Sequence, residues 1–343
     1  MVLGTDLGTV TKVETMVSSN GGMVIVREDL CRDVVSDADA FTAVEAVFAA
    51  MAAGDAVNFP VVREAIGHAD ALYGFKSGFD CAGMALGVKS GGYWTKNLTN
   101  AGISNHQSSV FLFDPDTGRL QAVIGGNYLT AVRTAAAAAV SINHLARKDA
   151  AVLGIMGAGH QSSFQLRAAL KQRRFRKILG WNRTSAAVSR LRDVAAEAGL
   201  PFEAVTPDAM TAADVIITIT SSNQPLLMAD HVSPGTHVVA MGTDTIGKQE
   251  IDPKLFSNAA VFTDEVAQSV TIGEAQHAVA AGFVDTDAIV PIGRVINGDH
   301  AGRTNERQIT IYEGTGVGLQ DLALASVAMR RALDAGTATR IAF

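Results

Sequence analysis

The sequence predicts an α/β protein in which a doubly wound parallel sheet occupies much of the second half of the chain. Strand-like and helix-like segments alternate from residue 151 onward, which is typical of parallel strands joined by crossover helices. The predicted elements are strands at 151–156, 177–181, 214–220, 236–241 and 259–263 and helices at 161–173 and 185–198. Because 343 residues exceed one ordinary domain, we expect a second domain beside this sheet.

The first of these strands leads directly into a glycine-rich turn. Gly157 is expected to allow a turn that a side chain would not tolerate, and Gly159 to let the backbone approach a pyrophosphate at the start of the next helix. Ser162 stands where a third glycine is common. The strand before the turn and the strand at 177–181 after it support a dinucleotide site nonetheless.

The chain before residue 126 has a different pattern, with short β-rich runs and turn signals. The predicted elements are a strand at 23–26, an amphipathic helix with Phe41, Val44, Val47, Phe48 and Met51 on one face, strands at 85–89, 110–113 and 120–124, and a hairpin turn at 114–118. We expect an antiparallel or mixed sheet here. A long alanine-rich helix at 129–145 leads into the dinucleotide unit, and an amphipathic helix at 319–335 is expected to pack back on the first domain.

Composition excludes several classes of partner. The 28 Lys and Arg residues are outnumbered by 34 Asp and Glu without a basic block, so we expect no nucleic-acid partner. Apolar runs are too short to span a bilayer, so no membrane association is expected. Cys31 and Cys81 are too few for a disulfide framework, which predicts a reducing, cytoplasmic location. Histidines without ligand spacing predict no metal site.

Residues 1–22 are rich in Thr, Ser, Gly and Val and lack the pattern of a secretory signal. They are either an N-terminal extension that docks somewhere or a segment ahead of a true start at Met23. We exclude them from the fold prediction.

Four charged residues stand out by their sequence context. Lys89 ends an apolar strand, Arg133 interrupts the alanine-rich helix, and Arg63 follows Phe-Pro-Val-Val. Arginine suits a carboxylate, and a lysine in an apolar pocket can act as general acid or base, so these residues indicate an amino-acid or imino-acid substrate. Asp244 follows the strand 236–241, where ligands of doubly wound sheets bind.

The chain from residue 23 onward resembles the ornithine cyclodeaminase and mu-crystallin family. The matching segments, in order, are 87–89, 109–118, Leu-Thr-Ala-Val-Arg-Thr-Ala-Ala at 129–136, Gly-Ala-Gly-His-Gln at 157–161, 218–220, 234–237 and Gly-Thr-Asp-Thr-Ile-Gly-Lys-Gln-Glu-Ile at 242–251. The resemblance implies a homodimer and a Rossmann domain at 135–317. It also implies an α+β substrate-binding and dimerisation domain built from both chain ends, 23–134 and 318–343.

The family resemblance also assigns roles to individual residues. It implies that Arg63 and Arg133 hold the substrate carboxylate, that Lys89 is the catalytic lysine, and that Asp244 is the catalytic or water-positioning aspartate. The predicted cofactor-binding residues are Gly157, Ala158, Gly159, His160, Gln161, Asn182, Arg183, Thr184, Thr220, Ser221, Met241, Gly242, Thr243, Thr315 and Gly316.

Two departures from the family pattern bear on the prediction. Many members carry Lys-Ser in the segment that here reads Glu-Gly-Thr-Gly at 313–316, so Thr315 is the nearest substitute for the usual hydroxyl. Cyclodeaminases often carry Pro-x-Asn after the catalytic lysine, whereas residues 90–97 here form a glycine-rich loop with an added cation, Lys96. Lys96 with His106 would suit a second carboxylate. This favours reduction of an imino acid, and the iminosuccinate reductases, which make aspartate, are the preferred match within the family.

The cofactor stays open between two dinucleotides. Arg183 is suited to a 2′-phosphate and so favours NADP(H), while Asn182 would bond a 2′-hydroxyl and leave NAD usable. The match within the family favours NAD(H), which we prefer over NADP(H). Two alternatives to a reductase remain: a cyclodeaminase that retains its NAD, and a non-catalytic protein that binds NADPH or a small ligand, like mu-crystallin.

Overall fold

The computed structural model describes residues 22–343. Its first part contains β1 (Gly22–Val26), α1 (Glu28–Val34), α2 (Asp37–Ala53), β2 (Ala56–Asn58), β3 (Val62–Ala65), β4 (Ala71–Asp80), β5 (Ala85–Trp94), α3 (Asn97–Ala101), β6 (His106–Phe113), β7 (Leu120–Gly125) and α4 (Asn127–Leu145).

The second part continues with β8 (Val152–Met156), α5 (Ser162–Leu170), β9 (Lys177–Trp181), α6 (Ser189–Glu197), β10 (Phe202–Ala204), β11 (Val215–Thr218), β12 (Asn223–Leu227), β13 (His237–Ala240), β14 (Gln249–Ile251), β15 (Ala259–Thr263), α7 (Val266–Ile272), α8 (Ala275–Ala280), β16 (Val290–Pro291), α9 (Ile292–Ile296), β17 (Ile309–Glu313), α10 (Gly318–Asp334) and β18 (Thr339–Ala342). No helix within residues 22–343 is long and apolar enough to cross a membrane.

One sheet is built from both ends of the described chain. Its strand order is β18-β1-β7-β6-β5-β4-β2, and β3 also pairs with β4. β1 and β7 run parallel, while the other neighbours are antiparallel. Helix α10 packs against β4 and β5, where Leu322 is fully buried. The predicted mixed sheet is confirmed, and so is the predicted packing of the helix near residue 319 against the first domain. The helix and the sheet cover each other's apolar faces.

The second sheet is parallel throughout, in the order β10-β9-β8-β11-β13-β17-β15-β16. Its central strands β11 and β13 are buried along their whole length, as expected for strands covered by helices on both faces. The doubly wound α/β fold is therefore confirmed. Chain order reverses between β8 and β11, and ligands bind beyond the carboxyl ends of strands at such a point.

Helix α4 connects the two sheets and is buried over most of its length. Small alanine side chains let it pack closely against α2 and α5, and it ends where Ala146 turns extended. The predicted helix at 129–145 is confirmed with two further residues at its start. The predicted domain division at 134/135 falls inside this helix and stays a prediction, as does the division at 317/318. The segment 1–22 lies, except for residue 22, outside the described residues.

Candidate functional site

The dinucleotide turn lies at the carboxyl end of β8. Gly157 has a φ of 111°, a backbone conformation that residues with a side chain rarely adopt. A Cβ at this position would lie 2.4 Å from the carbonyl oxygen of Ile219. A Cβ on Gly159 would meet no protein atom within 4 Å. The first glycine therefore shapes the turn, while the second leaves open space beside the backbone.

Two side chains fix the backbone of this turn at Ala158. The amide of Ala158 donates to Asn182 Oδ1 at 3.1 Å, and its carbonyl accepts from Arg190 Nη1 at 2.9 Å. Ser162, which replaces the third glycine, is buried and donates to the carbonyl of Gly159 at 2.7 Å. The side-chain oxygen of Asn182 is thus already hydrogen-bonded to the turn, whereas the neighbouring Arg183 is exposed.

A cavity of about 920 Å³ opens between this turn and the first sheet. It is lined by most of the predicted site residues, namely Arg63, Lys89, His106, Arg133, Gly157, Ala158, Gly159, His160, Gln161, Asn182, Arg183, Thr184, Thr220, Ser221, Met241, Gly242, Asp244 and Thr315. The structure thus brings Lys89, Asp244 and most of the predicted cofactor residues to one cavity, although they come from distant parts of the chain. Lys96, Thr243 and Gly316 do not line it.

The glycine turn, the start of helix α5 and Gln161 make the cavity suitable for a dinucleotide. The turn leaves open space at Gly159, and helix α5 begins directly after it, so its first amides face a phosphate position. Gln161 Oε1 is buried and accepts no hydrogen bond from any residue within 22–343. When bound, a nicotinamide dinucleotide supplies or accepts the hydride.

Lys89 lies on β5 and lines the cavity. Its Nζ is 2.7 Å from Asp321 Oδ2, at the start of α10, and both side chains are almost fully buried. Burial lowers the pKa of Lys89 to about 8, with Asp321 opposing this effect and Arg133 adding to it. Lys89 is therefore a lysine that can exchange a proton near neutral pH.

Arg133 reaches the same carboxylate from helix α4. Its Nε lies 3.3 Å from Asp321 Oδ1, and its Nη1 donates to Gln320 Oε1 at 3.2 Å. Burial raises the pKa of Asp321, but Lys89 and Arg133 outweigh this effect, so the pKa stays below its ordinary value and the group is ionised. Gln320 and Asp321 had no predicted role, although the sequence places Asp321 five residues after Gly316 in a recognisable segment.

Arg63 and Lys248 share a second carboxylate, Asp244, across the cavity. Arg63 Nη1 lies 2.5 Å from Asp244 Oδ2, and Lys248 Nζ lies 2.8 Å from Asp244 Oδ1. Burial acts to raise the pKa of Asp244, but the two cations hold this pKa well below its ordinary value. Asp244 is therefore ionised and cannot serve as a proton donor near neutral pH.

Lys76 on β4 is a cation of the cavity wall that the sequence interpretation did not identify. Its Nζ donates to the carbonyl oxygens of Thr315 and Gly316, each at 2.8 Å. Burial and the charges of Lys89 and Arg133 lower its pKa to about 7. Lys76 pairs with Lys89 across the β4–β5 hairpin, and no local sequence signal indicated this pairing.

The two cations expected for a second carboxylate behave differently from the prediction. His106 lines the cavity, but burial and the nearby cations Lys89 and Arg133 lower its pKa to about 3, so it is neutral and offers no charge. Lys96 is not brought to the cavity. Its side chain is 64% exposed and forms an ion pair with Asp70 at 2.9 Å.

Five predicted cofactor residues donate hydrogen bonds to buried acids. Thr243 does not line the cavity and donates to Glu274, while Thr315 Oγ1 and Gly316 N donate to Asp264 at 2.8 Å and 2.7 Å. Glu250 accepts from the amides of Thr220 and Gly242 at 2.5 Å and 2.7 Å. These acids fix the loops that follow the parallel strands. Within residues 22–343, no group of three or more His, Cys, Asp or Glu is placed to hold a metal ion.

The fold and the cavity together define a dinucleotide-binding protein with an anion-binding wall of lysine and arginine. The sequence profile of the Ornithine cyclodeaminase/mu-crystallin family matches residues 22–336, and the chain belongs to this family.

Relatives of known activity support the same assignment. The chain is 58% identical over 320 residues to the iminosuccinate reductase of Paracoccus denitrificans (strain Pd 1222), covering 93% of this chain and 99% of that protein. The structure of that enzyme in complex with NAD⁺ matches with a TM-score of 0.89 and 57% identity, over 93% of this chain and 99% of the other. An archaeal alanine dehydrogenase dimer with bound NAD matches with a TM-score of 0.88 at 28% identity, over 94% and 99%.

Proposed function

We propose that this chain reduces a small α-imino acid to the α-amino acid with a nicotinamide dinucleotide, and that the favoured reaction is iminosuccinate to L-aspartate. The observation that carries this proposal is the position of Lys89 and Arg133 in one cavity with the dinucleotide turn. The 58% identity to an iminosuccinate reductase supports the choice of substrate.

Arg63 and Arg133 hold the α-carboxylate of the substrate. Both line the cavity, and each presents a planar guanidinium that matches a carboxylate. In this structure Arg63 pairs with Asp244 and Arg133 with Asp321, and these ion pairs orient the two guanidinium groups. Holding the substrate by its carboxylate fixes the imine carbon against the nicotinamide, and orientation of this kind lowers the barrier to hydride transfer.

Lys89 supplies the proton to the imine nitrogen. Its lowered pKa of about 8 leaves most of it protonated at neutral pH, yet ready to release a proton. Asp321 keeps the ammonium oriented. A bound reduced nicotinamide would supply the hydride for the imine carbon, and Lys89 supplies the proton that completes the amine. Imino acid, NADH and one proton therefore give amino acid and NAD⁺.

Asp244 has a positioning role in the same proposal. It is ionised between Arg63 and Lys248, so its oxygens accept hydrogen bonds from the substrate nitrogen or from a water molecule. This arrangement places negative charge opposite an iminium and would stabilise its positive charge.

NAD(H) is the cofactor that we propose in preference to NADP(H). The similar solved structures hold NAD⁺ or NAD. Asn182 at the end of β9 is engaged with the turn, so the exposed Arg183 is the residue that would meet a 2′-phosphate. Arg183 alone would favour NADPH, but the dinucleotides bound by these two relatives lead us to expect NADPH to be accepted more weakly than NADH.

The cavity wall carries more cations than carboxylates, which argues against a cyclodeaminase. A diamino acid carries a second ammonium that needs an acidic partner, whereas the carboxylate on the cavity wall, Asp244, already pairs with Arg63 and Lys248. The catalytic groups Lys89 and Asp244 also argue against a protein that only binds ligands.

The working form in the proposal is a homodimer. The archaeal relative is a dimer. In this chain, Val57, Val62 and Phe75 lie on one face of three paired strands and are 51%, 47% and 41% exposed. Apolar groups gathered in this way are typical of a protein interface. Light scattering after size exclusion tests this, with twice the chain mass expected.

We place the protein in the cytoplasm, where free thiols such as Cys31 and Cys81 persist.

The test of the function is nucleotide absorbance at 340 nm with purified protein. NADH and NADPH are each offered with oxaloacetate plus ammonia, with pyruvate plus ammonia, and with each acid alone. We expect oxidation that requires both the acid and ammonia and is fastest with oxaloacetate and NADH. Release of ammonia from ornithine without net nucleotide turnover would instead identify a cyclodeaminase.

A further inference from the structure

Three cations lie on one face of the first sheet, on three neighbouring strands. Lys76 on β4 is directly opposite Lys89 on β5, and Arg63 on β3 is opposite Gly74, two residues before Lys76. Residues that pair in this way point to the same face, and like charges directly opposite each other are unfavourable. A sheet that places three cations together therefore needs anions at this position.

The chain supplies anions to two of these three cations. Asp321 lies beside Lys89, and Asp244 lies beside Arg63. Lys76 is different, because within residues 22–343 it forms no ion pair and contacts only the carbonyl oxygens of Thr315 and Gly316. Two neutral oxygens orient its ammonium but do not neutralise it.

The other charged residues near Lys76 also include more cations than carboxylates. Arg133 shares Asp321 with Lys89, and Lys248 shares Asp244 with Arg63. Together with Lys76, five cations at this end of the cavity therefore face two carboxylates in the described part of the chain. One carboxylate of a ligand satisfies the arginines. The charge on Lys76 then still lacks a partner.

We propose that Lys76 binds the second carboxylate of a dicarboxylate imino acid and thereby sets the preference of this site for iminosuccinate over imines with an apolar side chain. The inference rests on the proposed function and assigns the specificity to one residue. It places the distal carboxylate on β4, while the α-carboxylate lies with Arg63 and Arg133 and the imine nitrogen with Lys89.

The pKa of Lys76 is consistent with an ammonium that lacks its anion. Burial and the charges of Lys89, Arg133 and Arg63 lower it, Asp244 opposes them, and the net pKa is about 7. A bound carboxylate would raise this pKa again. Binding of a dicarboxylate is therefore expected to weaken as the pH rises above about 7, because the free protein then loses the charge on Lys76.

The kinetic test compares two substrates in the same assay. Lys76→Met removes the charge, and Lys76→Gln removes the charge while keeping an N–H donor for the carbonyl of Thr315. We expect kcat/KM with oxaloacetate plus ammonia to fall about 30-fold in both variants, a typical loss for one charged hydrogen bond. With pyruvate plus ammonia we expect less than about a threefold change, because that imine has no second carboxylate. Equal losses on both substrates would overturn the proposal.

Lys177→Met is the matched control. Lys177 is likewise a lysine on a strand, but it lies at the start of β9 and does not line the cavity. Unlike Lys76 it has an anionic partner, Glu203, at 2.5 Å. Its kinetics are expected to equal those of the wild type with both substrates. NADH binding, measured by fluorescence, is expected to be unchanged in all variants, which shows that the cavity still forms.

A binding measurement keeps the two proposals separable. Succinate and propionate are titrated into the protein with NADH, and their Kd values are compared. We expect succinate to bind about 30-fold more weakly to Lys76→Met than to the wild type, and propionate equally to both. A wild-type protein that binds succinate through Lys76 but oxidises no NADH would overturn the proposed reaction alone. A wild type that reduces iminosuccinate, with succinate binding unaffected by Lys76→Met, would overturn the Lys76 assignment alone.

Discussion

Lys89 and Asp321 form a buried ion pair, with Nζ and Oδ2 2.7 Å apart, although 232 positions separate them in the numbering. One comes from the middle of a strand and the other from the first turn of the last helix. The pair explains how a lysine in an almost inaccessible place retains a charge, because the neighbouring carboxylate opposes the effect of burial.

Replacing Lys89 by alanine is expected to abolish turnover while nucleotide binding persists. Lys89 is proposed to supply the proton, and loss of a general acid lowers rates by about 100- to 10,000-fold. The measurement is kcat at saturating NADH, together with the Kd for NADH from fluorescence. Loss of NADH binding in Lys89→Ala would mean that the residue is structural.

Replacing Asp321 by asparagine is expected to destabilise the protein strongly. The change leaves Lys89 and Arg133 buried without their shared anion, and such a loss typically costs about 3–5 kcal/mol. Urea denaturation measures the free energy of unfolding. The double variant Lys89→Met with Asp321→Asn should recover part of this loss, because one stranded charge is then gone. An unaltered stability in Asp321→Asn would contradict the pairing.

The two directions of the reaction are expected to respond oppositely to pH. The pKa of Lys89 is about 8, so the protonated form that reduction needs is lost as the pH rises through this value. Reduction should therefore fall about tenfold per unit above pH 8, while oxidation of the amino acid, which needs the neutral amine, should rise up to that pH. The measurement is kcat/KM in each direction, because the pKa of about 8 belongs to the free protein. Identical profiles in both directions would exclude Lys89 as the titrating group.

The two glycines of the dinucleotide turn are expected to fail in different ways. Gly157→Ala should lower stability, because its φ is 111° and the added Cβ would lie 2.4 Å from the Ile219 carbonyl. Gly159→Ala meets no protein atom and should fold normally, but its methyl group occupies the space proposed for the pyrophosphate. We expect NADH binding to weaken at least about tenfold in Gly159→Ala with the unfolding midpoint unchanged. Normal NADH binding in that variant would count against the proposed cofactor position.

Long, regular elements were predictable from the sequence. The strand at 177–181 and the helix at 129–145 were found because apolar periodicity extends over their length. Strand β4 was missed, because Gly74, Lys76 and Gly78 interrupt any alternation of apolar residues, and the cation on it was missed too. Its pairing with β5 depends on tertiary contacts that a local pattern does not carry.

The expectation for Lys96 shows the same limit. Strand β5 was predicted to end at residue 89, which would keep the next loop near the catalytic lysine. It continues to Trp94, and five more residues of strand carry the chain about 16 Å onward. Trp94 pairs with Ala71 at the open end of the hairpin, so Lys96 meets Asp70 there. Arg63, Lys89, Arg133 and Asp244, in contrast, line one cavity, and the roles predicted for them stay predictions.

The position of Asp321 on α10 has a consequence for the order of synthesis. Lys89 and Arg133 are translated well before α10, whereas the carboxylate that balances both charges comes only with that helix. A growing polypeptide therefore cannot bury these two cations together with their anion until α10 has been made. We expect the first sheet to close around Lys89 after α10 has left the ribosome, and not domain by domain from the N-terminal side.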